Sequence, residues 1–333
     1  MTNLPRVIFG LIFLAGCSSA PQVSIAQVPA AIPTTAPSTN PTTKPTTKPV
    51  AAVQHVVVIS IDGLRPDLAL RADMPHLRSL LARGSYSMWA RTTEISVTLP
   101  SHVSMISGVK PDKHKILWND ARSGPDDLKV DTLLDRAHAA GMTTAVIASK
   151  EKFRIFNKPG VVDHVLVPGD DRDNDATTAS TTVKFIREFK PNVTFVHFGQ
   201  VDSTGHGIGW GTPEQIKTIE LADSRLGEIL GAIDDAGLRD STVVIVSADH
   251  GGSGRHHGRD DLRSRHIPWI CVGPGIAPGV DLTKYRELTI NTEDTYATAC
   301  WLMGLEPGEK IDGKAIKEVL ADRGDLLEAT PAK

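Results

Sequence analysis

Cysteine is scarce in this chain: 333 residues hold three, Cys17, Cys271 and Cys300. Cys271 and Cys300 sit in apolar stretches, which reads as core rather than metal ligation and leaves a disulfide between them open. No run of Lys and Arg is long enough to make the electrostatic footprint that a nucleic-acid polymer requires, and 36 basic against 39 acidic residues leave a net charge of −3. Polymeric DNA or RNA is therefore not an expected partner. No apolar run is long enough to cross a bilayer, and 40% hydrophobic with 23% charged residues is an ordinary balance for a protein folded in water. No period of roughly 20–50 residues repeats, which argues against a solenoid or propeller array.

What is present starts at the front. Residues 1–16 carry Arg6, an apolar run over 7–14, and then Leu14-Ala15-Gly16-Cys17. The run has the length of an export signal. Leu-Ala-Gly-Cys resembles the bacterial lipobox, whose Cys is diacylated and becomes the new N-terminus; an ordinary secretory signal with an incidental Cys17 is the alternative. Ser18, in place of Asp, resembles lipoproteins sent to the outer membrane. Residues 17–52 then pass through Pro-Thr-Thr-Lys-Pro-Thr-Thr-Lys-Pro, which cannot bury apolar surface and favours extended conformers. The expected organisation is a signal over 1–16, a lipidated Cys17 with a disordered tether over 17–52, and one large domain over 53–333. The expected location is exported, on the outer membrane or its periplasmic face. The oligomeric state is not legible.

From Val53 onward, short β-rich apolar runs alternate with amphipathic stretches, the signature of an α/β domain with a mostly parallel central sheet flanked by helices on both faces. The pattern predicts strands over 56–61, 143–148, 162–167, 193–198, 242–247 and 268–272. It predicts helices over 74–83, 100–106, 130–140, 175–189, 213–236 and 292–303. Open α/β sheets bind ligands beyond the carboxyl ends of their strands, so the polar residues that follow each apolar run carry the functional weight.

Three strand ends carry the same residue types. Asp62 ends the first strand, Asp202 and His206 follow the fourth in Asp202-Ser203-Thr204-Gly205-His206, and Asp249-His250 end the fifth. Three carboxylates and two imidazoles form an O/N ligand set for zinc or a similar divalent metal, with His256 or His257 to complete it. Singly, such an Asp is more often a helix cap and such a His a core or surface group; the set as a whole carries the signal.

These residues resemble the type I phosphodiesterase/nucleotide pyrophosphatase family of the alkaline phosphatase superfamily, over about Val53 to Leu305. The family's nucleophile lies in a Thr-Phe-Pro-Asn-His-like segment, matched here by Thr98-Leu99-Pro100-Ser101-His102, with Ser107-Gly108-Val109-Lys110-Pro111 and His114 following. The resemblance implies an alkaline phosphatase-like fold and two divalent metal ions, usually zinc. Asp202, His206 and His257 would hold one; Asp62, Asp249, His250 and the Thr98 oxygen would hold the other. By the family's register His257, which precedes Gly258, is the ligand rather than His256. The metals would turn the Thr98 hydroxyl into a nucleophile and activate the water that hydrolyses a phosphothreonine. Asn119, with the Leu99 backbone N–H, would donate to a phosphoryl oxygen. His102 and His114 match family positions too, with structural roles expected.

Thr98 also excludes relatives. Sulfatases need a Cys or Ser that oxidises to an aldehyde, and cofactor-independent phosphoglycerate mutases use Ser and a large inserted domain for which residues 53–333 have no room. Larger family members carry an insertion between Asp249-His250 and the late His, whereas His257 follows His250 by only seven residues, so that loop must be small. No aromatic clamp for a base is evident; Trp118 and Trp210 either line the leaving-group side or pack in the core. Lys150 and Lys152, at spacing two, would point to one side if strand geometry continued. They resemble the basic pairs of superfamily members that act on dianionic monoesters and phosphonoacetate; a solvated charged loop is the alternative. The expectation is a two-metal hydrolase of small phosphoric esters, with a phosphomonoesterase or phosphonoacetate-hydrolase-like enzyme next and a non-catalytic surface lipoprotein last.

Overall fold

The computed structural model describes residues 53–122, 124–169 and 174–321, all within one compact unit. The signal, Cys17 and the tether lie outside the described residues. Eight strands form the sheet: β1 His55–Ile61, β2 Ser85–Arg91, β3 Thr144–Ala148, β4 His164–Leu166, β5 Val193–Phe198, β6 Thr242–Ser247, β7 His266–Val272 and β8 Val280–Asp281. Their order is β4-β3-β5-β1-β6-β7-β2-β8. Neighbours from β4 to β6 are parallel, β7 runs antiparallel to both β6 and β2, and β8 is parallel to β2.

The helices are α1 Pro66–Arg71, α2 Pro75–Arg83, α3 Thr98–Ser107, α4 Pro111–His114 and α5 Leu133–Ala139. They continue as α6 Asp175–Phe189, α7 Gln200–Ile208, α8 Pro213–Asp235, α9 Leu262–Arg265 and α10 Asp294–Met303. They pack as two groups against the sheet: α1, α2, α6 and α7 around α8, and α3, α4, α5 and α10 together. Covered on both sides, β1, β3, β5, β6 and β7 are buried along their whole length. This is why each reads as a continuous apolar run instead of an alternating one.

The structure departs from the sequence-based expectation in three places and answers one question the sequence left open. The strand placed over 162–167 is only His164–Leu166, because its three residues sit at the sheet edge with partial exposure. The strands β2 and β8 and the helices α1, α4, α7 and α9 were not expected; β2, Ser-Tyr-Ser-Met-Trp-Ala-Arg, is half-buried and weakly patterned. Strand geometry does not continue past Ala148, since Glu151–Phe156 closes into a 3-10 helix, so the spacing argument for Lys150 and Lys152 fails. Cys271 and Cys300 are buried free thiols, and burial pushes the Cys300 thiol up to about 12. No helix among the described residues is long and apolar enough to cross a membrane.

Candidate active site

The adjacent strands β3, β5, β1 and β6 deliver Lys150, Asp202, Asp62, Asp249 and His250 at or just beyond their carboxyl ends, while Thr98 and His257 come from α3 and from the loop after His250. Asp62 follows β1 directly, and Asp249-His250 follow β6 after one residue; all three are fully buried. Asp202 and His206 lie one turn apart on α7, on the same face, which opens two residues after β5. That helix is poor in propensity, with Gly205 and Gly207 inside it, and its start is fixed from outside: the Asp175 carboxylate accepts the N–H groups of Gly199 at 2.8 Å and Gln200 at 3.1 Å. Gly205 is required by Trp210, since a Cβ there would stand 2.7 Å from the indole. Trp210 is therefore a core residue, its Nε1–H donating to the Gly63 carbonyl at 2.9 Å. Trp118 is half-buried, with the Arg122 guanidinium 4.8 Å from its ring centre.

The loop after His250 is small, as expected. Ser253 and His256 pair backbone to backbone around a turn in which Gly254 takes φ of +59°. The turn leaves His256 exposed and sends His257 inward, where its imidazole stacks on His250 at 3.7 Å. The nucleophile candidate Thr98 opens α3, a helix buried at all ten positions and closed by Gly108, whose φ of +72° ends it in the left-handed region. Thr98 Oγ1 lies 3.2 Å from His250 Nε2.

Each imidazole is held in one tautomer. Nδ1 of His250 donates to Gly251 O at 2.8 Å, Nδ1 of His206 to Arg255 O at 2.9 Å and Nδ1 of His257 to Ser96 O at 3.0 Å. A carbonyl only accepts, so the three Nε2 lone pairs are left facing inward. The carboxylates are arranged in the same manner, with one oxygen of each bound by the protein. Asp62 Oδ2 accepts from Lys150 Nζ at 2.8 Å and His197 Nε2 at 3.0 Å, Asp202 Oδ2 from Lys150 Nζ at 2.6 Å, and Asp249 Oδ1 from the Gly63 N–H at 3.2 Å. The other three oxygens, Asp62 Oδ1, Asp202 Oδ1 and Asp249 Oδ2, are buried without a hydrogen-bond partner. Burial and the neighbouring charges of Asp62 and Asp202 hold Asp249 well above the usual carboxylate range; Asp62, also opposed by burial, is pulled below that range by Lys150 and His197.

Orphaned carboxylate oxygens facing imidazole lone pairs fit divalent cations. Two groups among the described residues have ligand atoms close enough to share an ion: Asp202, His206 and His257, and Asp62, Asp202 and His250. The first is the set the resemblance implies. The second contains Asp202 where Asp249 was expected, with Asp249 Oδ2 3.2 Å from His250 Nε2 beside it.

Two substrate contacts expected from sequence take other partners. The Leu99 N–H donates to Asn119 Oδ1 at 2.9 Å, which leaves the Asn119 amide N–H groups as the donors. Lys150 is buried on Asp62 and Asp202 instead of projecting toward a phosphoryl site, and Lys152 is buried too, its charge adding with that of Lys150 to the burial that lowers the basicity of His197. His102 and His114 are structural in their contacts: His102 bonds Ser60 Oγ at 2.7 Å and Thr98 O at 2.8 Å, and His114 bonds Ser104, Pro100 and Ile116. Sequence reasoning missed His197; the one available signal was an imidazole in the otherwise apolar run of β5. A cavity of about 470 Å³ lies against residues 92–95, which lead into Thr98, and is lined also by Lys110, Leu117, Arg265 and Glu293 with no aromatic ring.

A bis(5'-adenosyl)-triphosphatase of Xenopus laevis is 24% identical over 80% of this chain and 60% of its own length. An uncharacterised pyrophosphatase/phosphodiesterase of Schizosaccharomyces pombe is 25% identical over 59% of this chain and 44% of its own. The chain thus spans about half the length of the curated relatives it matches. Among solved structures, murine ectonucleotide pyrophosphatase/phosphodiesterase 5, an inactive variant in complex with AMP, superposes with a TM-score of 0.66 at 15% identity, over 80% of this chain and 100% of that one. A 2-O GAG sulfatase superposes with a TM-score of 0.65 at 17% identity, over 82% of this chain and 74% of its own. Both share the fold. Residues 56–258, from the first core strand to the glycine after His257, match the family model of type I phosphodiesterase/nucleotide pyrophosphatase, and the chain belongs to that family.

Proposed function

We propose that the protein is a two-metal-dependent hydrolase of phosphoric esters that cleaves a phosphodiester or pyrophosphate bond through a phosphothreonine at Thr98. The observation that carries this reading is the convergence of three orphaned carboxylate oxygens and three oriented Nε2 atoms beside the Thr98 hydroxyl. Asp202, His206 and His257 would hold one ion, and Asp62 and His250, with Asp249 and Thr98 beside them, the other, Asp202 lying within reach of both; zinc is favoured by the N/O donor set. Bound there, divalent ions would lower the pKa of the Thr98 hydroxyl and neutralise charge on the leaving oxygen. In the first half-reaction the Thr98 O–P bond forms and the P–O bond to the leaving group breaks, the hydroxyl proton balancing the released alkoxide. Water then cleaves the phosphothreonine, its oxygen bonding to phosphorus as the Thr98 O–P bond breaks and one of its protons returning Thr98 to the hydroxyl. Asn119, its Oδ1 engaged by the Leu99 N–H, is left to donate from Nδ2 to a phosphoryl oxygen.

A phosphomonoesterase is the second reading, and it is favoured by one observation: Lys150 adds a buried positive charge to the centre. A binding module without turnover would not need the complete set. The test is to assay bis-p-nitrophenyl phosphate and p-nitrophenyl phosphate on zinc-loaded protein before and after chelation. Turnover of either substrate that chelation abolishes is expected; no turnover of either, or a rate indifferent to chelation, contradicts the proposal.

A further inference from the structure

His197 touches neither metal-binding group as a ligand, yet it is fully buried behind one of them. Its Nε2 lies 3.0 Å from Asp62 Oδ2, and a carboxylate can only accept, so Nε2 carries the proton. Its Nδ1 then accepts from the Ser149 hydroxyl at 3.3 Å. The ring is wedged on its faces and edges by Phe153, at 4.0 Å between centres, and His102, at 5.0 Å. With Lys150 Nζ on the same Oδ2 at 2.8 Å, both donors fall on one oxygen of Asp62 and leave Oδ1 alone toward His250, 3.3 Å from its Nε2.

We infer that His197 is a positioning residue: the Ser149–His197 relay fixes Asp62 as a single-oxygen ligand for the ion held with His250. This rests on the metal reading above and goes beyond it, since His197 acts through Asp62 and not on substrate. The relay belongs to one group only. Asp202, His206 and His257 receive none of its hydrogen bonds, so their ion should be indifferent to it.

The experiment is a zinc titration of chelator-stripped full-length protein against a chromophoric competitor, with thermal midpoints recorded for each variant. His197→Ala should weaken one of two zinc sites by about 10–100-fold and leave the other within about threefold, as loss of an outer-shell partner does. His197→Gln, which keeps an N–H donor, should recover most of that loss; it also serves if His197→Ala does not fold. Ser149→Ala, which frees the far nitrogen, should weaken the same site by less. Unchanged zinc affinities, or His197→Gln losing both sites equally, would overturn the assignment and leave His197 a packing residue. Wild-type protein that takes up no zinc would instead contradict the proposed function itself.

Discussion

Lys150 alters the charge balance at the centre of the site. In the proposed two-metal state, two divalent ions against Asp62, Asp202 and Asp249 would leave a net charge of about +1, which suits a diester monoanion. The Lys150 ammonium, held 2.8 and 2.6 Å from Asp62 and Asp202, brings that to about +2, which suits a monoester dianion. Lys150→Met is therefore expected to lower kcat/KM for p-nitrophenyl phosphate about 10-fold more than for bis-p-nitrophenyl phosphate, read as a ratio of the two rates. Equal losses would mean that Lys150 only holds the carboxylates in place. A second residue-scale expectation concerns His114. Burial holds it neutral, its pKa lowered to about 4 against an ordinary 6.5, so between those values the unfolded chain binds the proton and the native chain does not. The contribution is fully present above pH 6.5 and is lost as the pH falls toward 4. Urea midpoints for His114→Gln should decline less steeply than wild type across that window, and identical slopes would contradict it.

At the scale of elements, legibility followed burial. The strands β1, β5 and β6 are covered on both faces, so their apolar runs marked them to within a residue, and with them the positions of Asp62, Asp202, Asp249 and His250. The helix α7 was not legible, because Gly205 and Gly207 lower its propensity and its stability comes from Asp175, 24 residues before Gly199 in the chain. The partners of Lys150 and Asn119 were equally hidden, since each depends on tertiary neighbours 20 or more residues away. Asp175→Ala removes the acceptor of the buried Gly199 N–H and of the half-buried Gln200 N–H and should cost about 1–3 kcal/mol. Because α7 carries both Asp202 and His206, that variant should also weaken zinc at the Asp202/His206/His257 group more than at the other. A urea midpoint within error of wild type would show that α7 does not depend on this cap.

At the scale of the whole molecule, the folded unit carries the proposed chemistry, and the front of the chain is proposed to deliver it to a membrane surface. The Leu14-Ala15-Gly16-Cys17 motif and the Pro/Thr-rich stretch predict that Cys17→Ala moves the protein from the membrane to the soluble fraction; equal fractionation of both forms would remove the anchor from the account. The central claim is that Thr98 attacks phosphorus at a site whose metals keep six other protein ligands, Asp62, Asp202, His206, Asp249, His250 and His257, when the Thr98 oxygen is removed. Its most direct measurement is bis-p-nitrophenyl phosphate turnover and zinc content determined together on wild type and Thr98→Ala. The account predicts two zinc ions per chain in both and a fall in rate of about a thousandfold or more in the variant. Thr98→Ala turning over at close to the wild-type rate with its zinc in place would contradict it.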